Sequence, residues 1–225
     1  MLNLLNKLRL IIELNYCFYV IVVMKKFMLF CLITFFNKFL FAQKEILVIG
    51  NSNEICFDTS LNFVFVENLD RILDYDIVLI FSGASSKIKS DDISKIVDFL
   101  SKGGGLYLGC ENWPFQAETN LILEQLFSFQ SWGNFNSSYA KVSEDSELTA
   151  LKDIPSGNSV AVFPMDLNFK VDVWLEDKPV IMSGSFDLGR IVLDGGYSRF
   201  FCSEINTASK SFFLDLVAYL GGQKN

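Results

Sequence analysis

The stretch Gly103–Pro114, GGGLYLGCENWP, decides the fold that we expect for the rest of the chain. Leu106–Leu108 is an apolar run too short for a helix and bounded by glycine, so it predicts a buried strand. Gly109–Asn112 then lies where this strand must turn toward the next helix. In an open parallel sheet such a turn lies at the carboxyl edge, where ligands and nucleophiles are placed. The cysteine of this turn, Cys110, is therefore the first candidate for a functional residue.

The segment before this strand has the features of a helix over Ser90–Lys102. Its apolar residues recur at helical spacing, and Asp91 and Asp92 fall in the first turn, where the helix dipole favours negative charge. Ser90 is the expected N-cap, and Gly103 is the expected end of the helix.

Two further strands end in small polar turns of the same kind. Glu45–Ile49 ends in Gly50–Asn53, and Asp76–Phe81 ends in Ser82–Ser86. The alternation of strands and helices predicts a parallel sheet with helices on both faces. Right-handed crossovers bring the three turns to one edge of such a sheet. The first turn lacks a GxGxxG or P-loop pattern, so nothing in it indicates a nucleotide.

The rest of the chain alternates between predicted helices and strands. Asn120–Phe129 and Asn206–Leu220 have apolar residues at helical spacing, and Asn206 is the expected N-cap of the second helix. Residues 131–157 are predicted to be rich in loops, with a solvated acidic run. A brief helix is expected over Leu69–Leu73. The other predicted strands, some of them antiparallel at an edge, are Phe63–Val66, Val160–Phe163, Val171–Leu175, Val180–Ser183 and Arg190–Leu193.

A late segment points to a known superfamily. Phe186–Phe200, FDLGRIVLDGGYSRF, combines Gly-Arg, a hydrophobic strand, a small polar turn and Ser-x-Phe. With the helix, the three glycines, the short strand and Cys110, it resembles the class I glutamine amidotransferase-like superfamily, and the late segment is similar to that of its non-catalytic branches. The resemblance covers roughly Lys44 to Leu220. It implies a flavodoxin-like α/β fold, with a mostly parallel sheet, helices on both faces and an antiparallel edge.

The first 42 residues are unusually apolar, and we expect them to be separate from a domain at 43–225. Met24–Lys26 is charged, Phe27–Phe36 is apolar, and Ala42 provides a small residue at the expected cleavage point. This order is typical of a secretory signal peptide. The apolar run is shorter than a comfortable membrane span of about 20 residues. The pattern therefore predicts export to the periplasm or to the outside of the cell.

The alternative is that the N-terminus is not cleaved and holds the protein at a membrane. Leu10–Val23 is a second apolar run that favours this interpretation. Residues 1–23 also precede a better start methionine, and we interpret them as an upstream extension. Membrane attachment through this segment stays open as the second hypothesis.

Composition predicts an acidic domain with a sizeable core. The chain of 225 residues is 51% hydrophobic and contains 23 phenylalanines. Removing residues 1–42 takes away five basic residues and one acidic residue, which leaves 14 basic and 25 acidic residues and a net charge of −11. An acidic domain repels phosphate backbones. Nucleic acid is therefore not expected as a partner.

Three cysteines remain after the N-terminal segment: Cys56, Cys110 and Cys202. One disulfide is compatible with an oxidising compartment, but its pairing cannot be deduced from sequence alone. The favoured interpretation is that Cys56 and Cys202 are small buried hydrophobic residues. Three scattered cysteines do not predict a thiolate metal site.

The chain contains no histidine. Enzymes of the superfamily that it resembles use Cys–His–Glu arrangements, in which imidazole accepts the proton of the nucleophile. A self-contained glutaminase, peptidase or hydrolase of that type is therefore not expected, and neither is a histidine zinc site or another cofactor. We expect a non-catalytic domain that binds a small molecule or an envelope protein at the bacterial cell envelope.

The predicted ligand cleft is built from the polar turns. Its residues are Asn51, Ser82, Cys110, Glu111, Asn112 and Trp113. A rival hypothesis makes Cys110 a nucleophile or a redox-sensing thiol, because a helix N-terminus favours the thiolate. A third hypothesis is a subunit that takes a histidine from a partner chain. The simplest interpretation keeps Cys110 as a structural cysteine at a tight turn.

The neighbours of Cys110 leave further alternatives open. Glu111 is placed to hydrogen-bond the sulfur, or to pair with Asp194 for acid–base chemistry. Trp113 is either the wall of a cleft, stacking on a sugar or a peptide, or a core tryptophan. Arg199 meets an anionic ligand or pairs with a surface acid, and we favour the surface acid.

Overall fold

The computed structural model describes the following residues of the chain: 24, 45–136, 140–148 and 160–222. The chain divides into two compact units, Met1–Gln43 and Lys44–Asn225. The architecture below is that of the second unit, and the predicted signal peptide lies outside the described residues except for Met24. Among the described helices, none has the length and hydropathy needed to cross a membrane.

The described residues form ten strands and three α-helices. The strands are β1 Glu45–Gly50, β2 Asn62–Phe65, β3 Ile77–Phe81, β4 Gly105–Gly109, β5 Trp132–Phe135, β6 Ala140–Val142, β7 Val160–Val162, β8 Phe169–Leu175, β9 Lys178–Phe186 and β10 Gly189–Asp194. The α-helices are α1 Ile93–Ser101, α2 Ala117–Phe127 and α3 Thr207–Leu220. Short 3-10 helices lie at Ile72–Asp74, Ser90–Asp92 and Tyr197–Phe200.

Eight of these strands make one sheet in the order β2-β1-β3-β4-β10-β9-β8-β6. The five strands from β2 to β10 are parallel, and β9, β8 and β6 continue the sheet with antiparallel pairing. β5 and β7 form a separate antiparallel pair. The α/β fold with a mostly parallel sheet and an antiparallel part is therefore confirmed.

The core lies against the central strands of the sheet. All five residues of β3 are buried, and they alternate between two hydrophobic clusters. The first cluster takes Val78 and Ile80 together with the buried apolar residues of α1 and α2. The second cluster takes the other three residues of β3 and the buried apolar residues of α3. A continuous apolar run such as β3 is what a strand buried on both sides requires.

Of the two predicted N-cap residues, one caps its helix and the other does not. The side chain of Asn206 accepts a hydrogen bond of 2.9 Å from the amide of Ser209, so the predicted cap of α3 is confirmed. The prediction of Ser90 as the cap of α1 is wrong. The carboxylate of Asp92 instead accepts from the amide of Lys89 at 3.0 Å, and Ser90 lies inside a 3-10 turn.

The region predicted to be loop-rich contains regular structure. Trp132–Phe135 and Ala140–Val142 are strands, while residues 137–139 and 149–159 of that region lie outside the described residues. The prediction failed because these strands are three or four residues long, which is too short for an alternation of apolar and polar residues to be distinguished from a loop.

Cys56 and Cys202 form a disulfide, so the favoured interpretation of both as small buried hydrophobic residues is wrong. Their Cα atoms lie 4.8 Å apart although 146 positions separate them in sequence. The amide of Cys56 donates to the carbonyl of Phe200 at 2.8 Å, and the amide of Cys202 donates to the carbonyl of Glu54 at 2.9 Å. The loop after β1 is therefore fixed to the segment after β10 by both covalent and hydrogen bonds.

Candidate functional site

The ends of four parallel strands lie level at one edge of the sheet. Phe81 of β3 is the register partner of Gly50 in β1 and of Gly109 in β4. Gly109 is in turn the partner of Asp194 in β10. The turns that carry the predicted ligand residues therefore leave the sheet side by side, as the sequence predicts.

A tyrosine from the turn after β10 joins the first two of these turns. The side-chain amide of Asn51 donates to the hydroxyl of Tyr197 at 3.2 Å, and this hydroxyl donates to the carbonyl of Ser82 at 2.8 Å. Tyr197 is buried and Asn51 is exposed. Burial raises the pKa of Tyr197 above its ordinary value. The sequence places Tyr197 only within a turn. Its contact with Asn51 is seen only in the folded structure.

Ser82 contacts the start of α2. Its hydroxyl lies 2.7 Å from the hydroxyl of Thr119 and accepts from the amide of Thr119 at 2.9 Å. The carboxylate of Glu118 accepts from the amides of Gly83 at 2.8 Å and Lys87 at 3.0 Å. Ser82 is fully buried, so its hydroxyl satisfies a free amide in the first turn of α2 and does not face an open cleft.

Cys110 is also fully buried and is a free thiol. Its sulfur lies 3.7 Å from the hydroxyl of Ser131. Burial raises the pKa of Cys110 above its ordinary value, although the hydrogen bond between its sulfur and the hydroxyl of Ser131 acts in the opposite direction. α2 begins only at Ala117, and a helix terminus favours a charge only within its first turn. The environment therefore holds the sulfur as a neutral thiol, unlike the thiolate that the rival hypothesis requires.

Glu111 is 6% exposed, and its carboxylate faces the turn after β10. It accepts a short hydrogen bond from the amide of Ser198. Burial raises the pKa of Glu111 to about 7, although the Ser198 bond and the charge of Arg199 oppose this effect. The sulfur of Cys110 bonds to Ser131, so the predicted contact between Glu111 and this sulfur is replaced by the contact with Ser198.

Asp194 and Arg199 form a buried ion pair beneath the same turn. Their side chains are 0% and 4% exposed, and Arg199 Nη2 lies 3.2 Å from Asp194 Oδ1. Asp194 also accepts from the hydroxyl of Tyr107 at 2.9 Å and from the amide of Gly196 at 2.9 Å. The prediction that Arg199 pairs with a surface acid is wrong, because its partner is in the core. Asp194 therefore has three partners within the domain, Arg199, Tyr107 and Gly196, and no hydrogen bond joins it to Glu111 in the part of the chain that the structure describes.

Three aromatic side chains in the turn after β4 and in β5 are exposed. Trp113 is 74% exposed, Trp132 is 46% exposed and Phe115 is 38% exposed. The amide of Trp113 donates to the carbonyl of Gly133 at 3.4 Å, so the turn after β4 lies against β5. We call Trp113, Phe115 and Trp132 the aromatic surface. Trp113 is thus not a core tryptophan.

The predicted ligand residues separate into two groups. Ser82, Cys110 and Glu111 are buried and have hydrogen-bond partners within the domain. Asn112 is half-buried and its amide donates to the carbonyl of Trp113 at 3.2 Å. Of the six predicted ligand residues, Asn51, Asn112 and Trp113 are accordingly the ones that a ligand can reach. Within residues 45–136, 140–148 and 160–222, no group of carboxylates and cysteines is arranged to hold a metal ion.

A cavity lies beside the disulfide. Its volume is about 240 Å³, and it is lined by Cys56, Phe57, Asp58, Thr59, Ile205, Lys210 and Phe213. Pockets for small molecules are typically about 300–1,000 Å³. The cavity is below this range.

Comparisons with known proteins relate the chain to others by fold. No family model matches the chain, and no curated protein matches it by sequence. A cytoplasmic protein from Salmonella typhimurium LT2 has a similar structure, with a TM-score of 0.59 and 12% identity over 78% of this chain and 99% of that chain. A ThuA-like protein from Parabacteroides merdae has a TM-score of 0.52 and 10% identity over 80% of this chain and 91% of that chain.

A second cytoplasmic protein from Salmonella typhimurium aligns with a TM-score of 0.57 and 12% identity, over 79% of this chain and 98% of that chain. Each of these proteins is aligned over nearly its whole length. At such low identity the likeness concerns the fold alone.

Proposed function

We propose that this chain is an exported, non-catalytic domain of the glutamine amidotransferase-like type, which binds a ligand or an envelope protein at the bacterial cell envelope. The observation that carries the proposal is the burial of Cys110, whose sulfur contacts Ser131 and whose pKa is raised by burial. A nucleophile must reach its substrate and must lose its proton. Cys110 meets neither requirement, and the chain has no histidine to accept the proton.

The strand order supports a flavodoxin-like fold for this domain. The parallel strands follow the order β2-β1-β3-β4-β10, which corresponds to the order 2-1-3-4-5 of flavodoxin-like sheets. α1 and α2 belong to one hydrophobic cluster and α3 to the other, which supports helices on both faces. The ThuA-like neighbour supports the fold in the same way.

The disulfide supports export. Disulfides persist in oxidising compartments and are rare in the cytosol, and Cys56–Cys202 is consistent with the signal peptide pattern in residues 24–42. Two structural neighbours are named cytoplasmic proteins, so this part of the proposal depends on the chain's own disulfide and N-terminal pattern. Attachment through an uncleaved N-terminus is the alternative. In either case the net charge of −11 after residue 42 opposes binding to nucleic acid.

Alkylation tests the non-catalytic assignment. We expect iodoacetamide to leave Cys110 unmodified in the native protein from pH 6 to about pH 9, and to modify it after denaturation. Ser94 is exposed on α1, so a Ser94→Cys variant provides a reactive thiol in the same domain as the control. Modification of native Cys110 with an apparent pKa below about 8.5 would contradict the proposal. So would turnover of an amide or ester substrate that Cys110→Ser abolishes.

Export needs a separate measurement. Mass spectrometry of the protein recovered from the periplasm or medium of its native host is expected to show an N-terminus near Gln43. A non-reducing peptide map is expected to join the Cys56 and Cys202 peptides. A cytosolic protein with both thiols reduced would overturn this part of the proposal.

A further inference from the structure

We propose that the aromatic surface binds an uncharged carbohydrate. This inference rests on the proposed binding function and names the class of its ligand. The side chains of Trp113, Phe115 and Trp132 are exposed, and the hydrogen bond of 3.4 Å from the amide of Trp113 to the carbonyl of Gly133 brings the loop after β4 next to β5, the strand that carries Trp132. Aromatic rings at a solvated surface offer a broad apolar face. Sugar rings have apolar C–H faces of matching size, with hydroxyl groups around their edges.

The charge around the aromatic surface selects against other ligands. Residues 111–136, which carry all three rings, contain no Lys or Arg, and their charged residues are Glu111, Glu118 and Glu124. The segment from 43 to 225 as a whole has a net charge of −11. Anionic lipid surfaces and nucleic acids are bound through clusters of Lys and Arg. This part of the acidic domain has no Lys or Arg, so it is suited to an uncharged partner.

Amide side chains supply the polar contacts that sugar hydroxyls need. Asn112 is half-buried beside Trp113, and Gln130 is exposed two residues before Trp132. The side-chain nitrogen of Gln130 donates to Glu124 at 2.8 Å and that of Asn112 donates to the carbonyl of Trp113 at 3.2 Å, so their amide oxygens are the groups offered to a hydroxyl donor. An amide group both donates and accepts hydrogen bonds, which matches the mixed character of a hydroxyl. A ligand site of this kind combines apolar faces with a small number of placed polar groups.

The loop that carries Trp113 is held in one shape by hydrogen bonds. The amide of Glu111 donates to the carbonyl of Phe115 at 2.9 Å, and the amide of Phe115 donates to the carbonyl of Asn112 at 3.0 Å. The side chain of Gln116 donates to the carbonyl of Glu111 at 3.0 Å. A surface fixed before binding loses little conformational entropy when a ligand arrives. Exposed tryptophan on a fixed loop is thus suited to recognition.

The test is a binding assay with the folded protein. An array of neutral and anionic glycans is screened first, and neutral hits are titrated by tryptophan fluorescence and by protein NMR, with cellohexaose, maltohexaose and chitohexaose always included. We expect a neutral glycan to bind, and we expect Trp113→Ala and Trp132→Ala each to weaken it by about tenfold or more. Trp113→Phe keeps a ring face and is expected to lose less.

The control is Leu188→Ala. Leu188 is 71% exposed and lies in the turn between β9 and β10, at the opposite end of the parallel strands. We expect this variant to bind as the wild type does. Equal loss in Leu188→Ala and Trp113→Ala would overturn the inference, because the effect would then be unrelated to the aromatic surface.

The remaining outcomes separate the two proposals. If no neutral glycan binds, or if only anionic glycans or anionic phosphatidylglycerol vesicles bind, the carbohydrate inference is wrong. Capture of a protein partner through Trp113 without any glycan binding would also overturn it. In each of these cases the proposed non-catalytic binding function is still supported if native Cys110 does not react with iodoacetamide. A reactive Cys110 would instead remove the proposed function, whatever the glycan result.

Discussion

The carboxylate of Glu111 accepts a hydrogen bond from the backbone amide of Ser198, and this bond joins the turn after β4 to the turn after β10. Both turns lie at the carboxyl edge of the sheet, and the loop with Trp113 begins at Glu111. Glu111 is only 6% exposed, so its charged form is disfavoured by burial and favoured by the bond. The balance of these effects makes the stability of this edge depend on pH.

The first prediction concerns that pH dependence. Burial raises the pKa of Glu111 from 4.5 to about 7 in the folded protein. Between these pH values the folded state keeps a proton that the unfolded state has lost, so the free energy of unfolding falls as the pH rises. We expect the contribution of Glu111 to be fully present below pH 4.5 and to have declined by about 3 kcal/mol above pH 7.

Glu111→Gln isolates this effect. Glutamine keeps an oxygen that accepts from Ser198 but does not ionise. Urea unfolding of both proteins from pH 4.5 to 8 measures the difference at each pH, so that the titration of other buried groups such as Asp172 cancels. We expect the variant to gain stability relative to the wild type as the pH rises. Parallel profiles for the two proteins would show that folding does not raise the pKa of Glu111.

The second prediction concerns the buried ion pair. Asp194→Asn leaves the positive charge of Arg199 in the core without its partner. Removing one member of a buried pair typically costs about 3–5 kcal/mol. The exposed pair of Arg71 and Asp74, whose side chains are 76% and 54% exposed, provides the control. Asp74→Asn is expected to change the free energy of unfolding by less than about 1 kcal/mol. Similar losses in both variants would contradict the buried role of Asp194.

Much of the fold could be predicted from local sequence. Ile77–Phe81 is a continuous apolar run, and burial on both sides of the sheet is the physical reason for it. Asn206 is predictable as a cap because an asparagine before a helical pattern is suited to accept from an amide in the first turn, and its side chain does accept from Ser209. The joining of the turns at one edge follows from parallel strands connected by right-handed crossovers. These features depend on residues that are close in sequence.

The contacts that make the site could not be predicted in the same way. Cys56 and Cys202 are joined across 146 positions, and Tyr107 meets Asp194 across 87. Such pairs depend on register between strands, which one sequence does not reveal. The burial of Ser82 was missed for a related reason, since its partner Thr119 belongs to a helix that begins three residues earlier than expected.

The third prediction concerns the disulfide. A Cys56→Ser, Cys202→Ser double variant removes a cross-link that closes a long loop, so we expect the free energy of unfolding to fall by about 2–5 kcal/mol. Thermal unfolding of the wild type with and without reductant checks the same effect without a substitution. The reductant is expected to leave the midpoint of the double variant unchanged. A midpoint that is equally high in the oxidised wild type and the double variant would exclude a stabilising disulfide.

The fourth prediction concerns the glycine before the buried cysteine. A methyl group on Gly109 would lie 2.6 Å from Cε1 of Tyr107 and 2.9 Å from its hydroxyl oxygen. The ring cannot yield, because Tyr107 is fully buried with the Phe81 ring centroid 5.4 Å away. We expect Gly109→Ala to cost about 1–3 kcal/mol from overpacking, measured by urea unfolding. It should also disturb the 2.9 Å bond from Tyr107 to Asp194.

Two further variants show whether that bond accounts for the loss. Tyr107→Phe removes the hydroxyl alone and is expected to cost about 1–3 kcal/mol, because Oδ2 of the buried Asp194 then loses the donor that Tyr107 provides. Combined with Gly109→Ala it should cost less than the two single changes added together, since both act on the same contact. Gly83→Ala is the control, because its methyl group would meet no atom closer than 3.5 Å. Equal stability of the Gly83→Ala and Gly109→Ala variants would mean that Gly109 is not required for the packing of Tyr107.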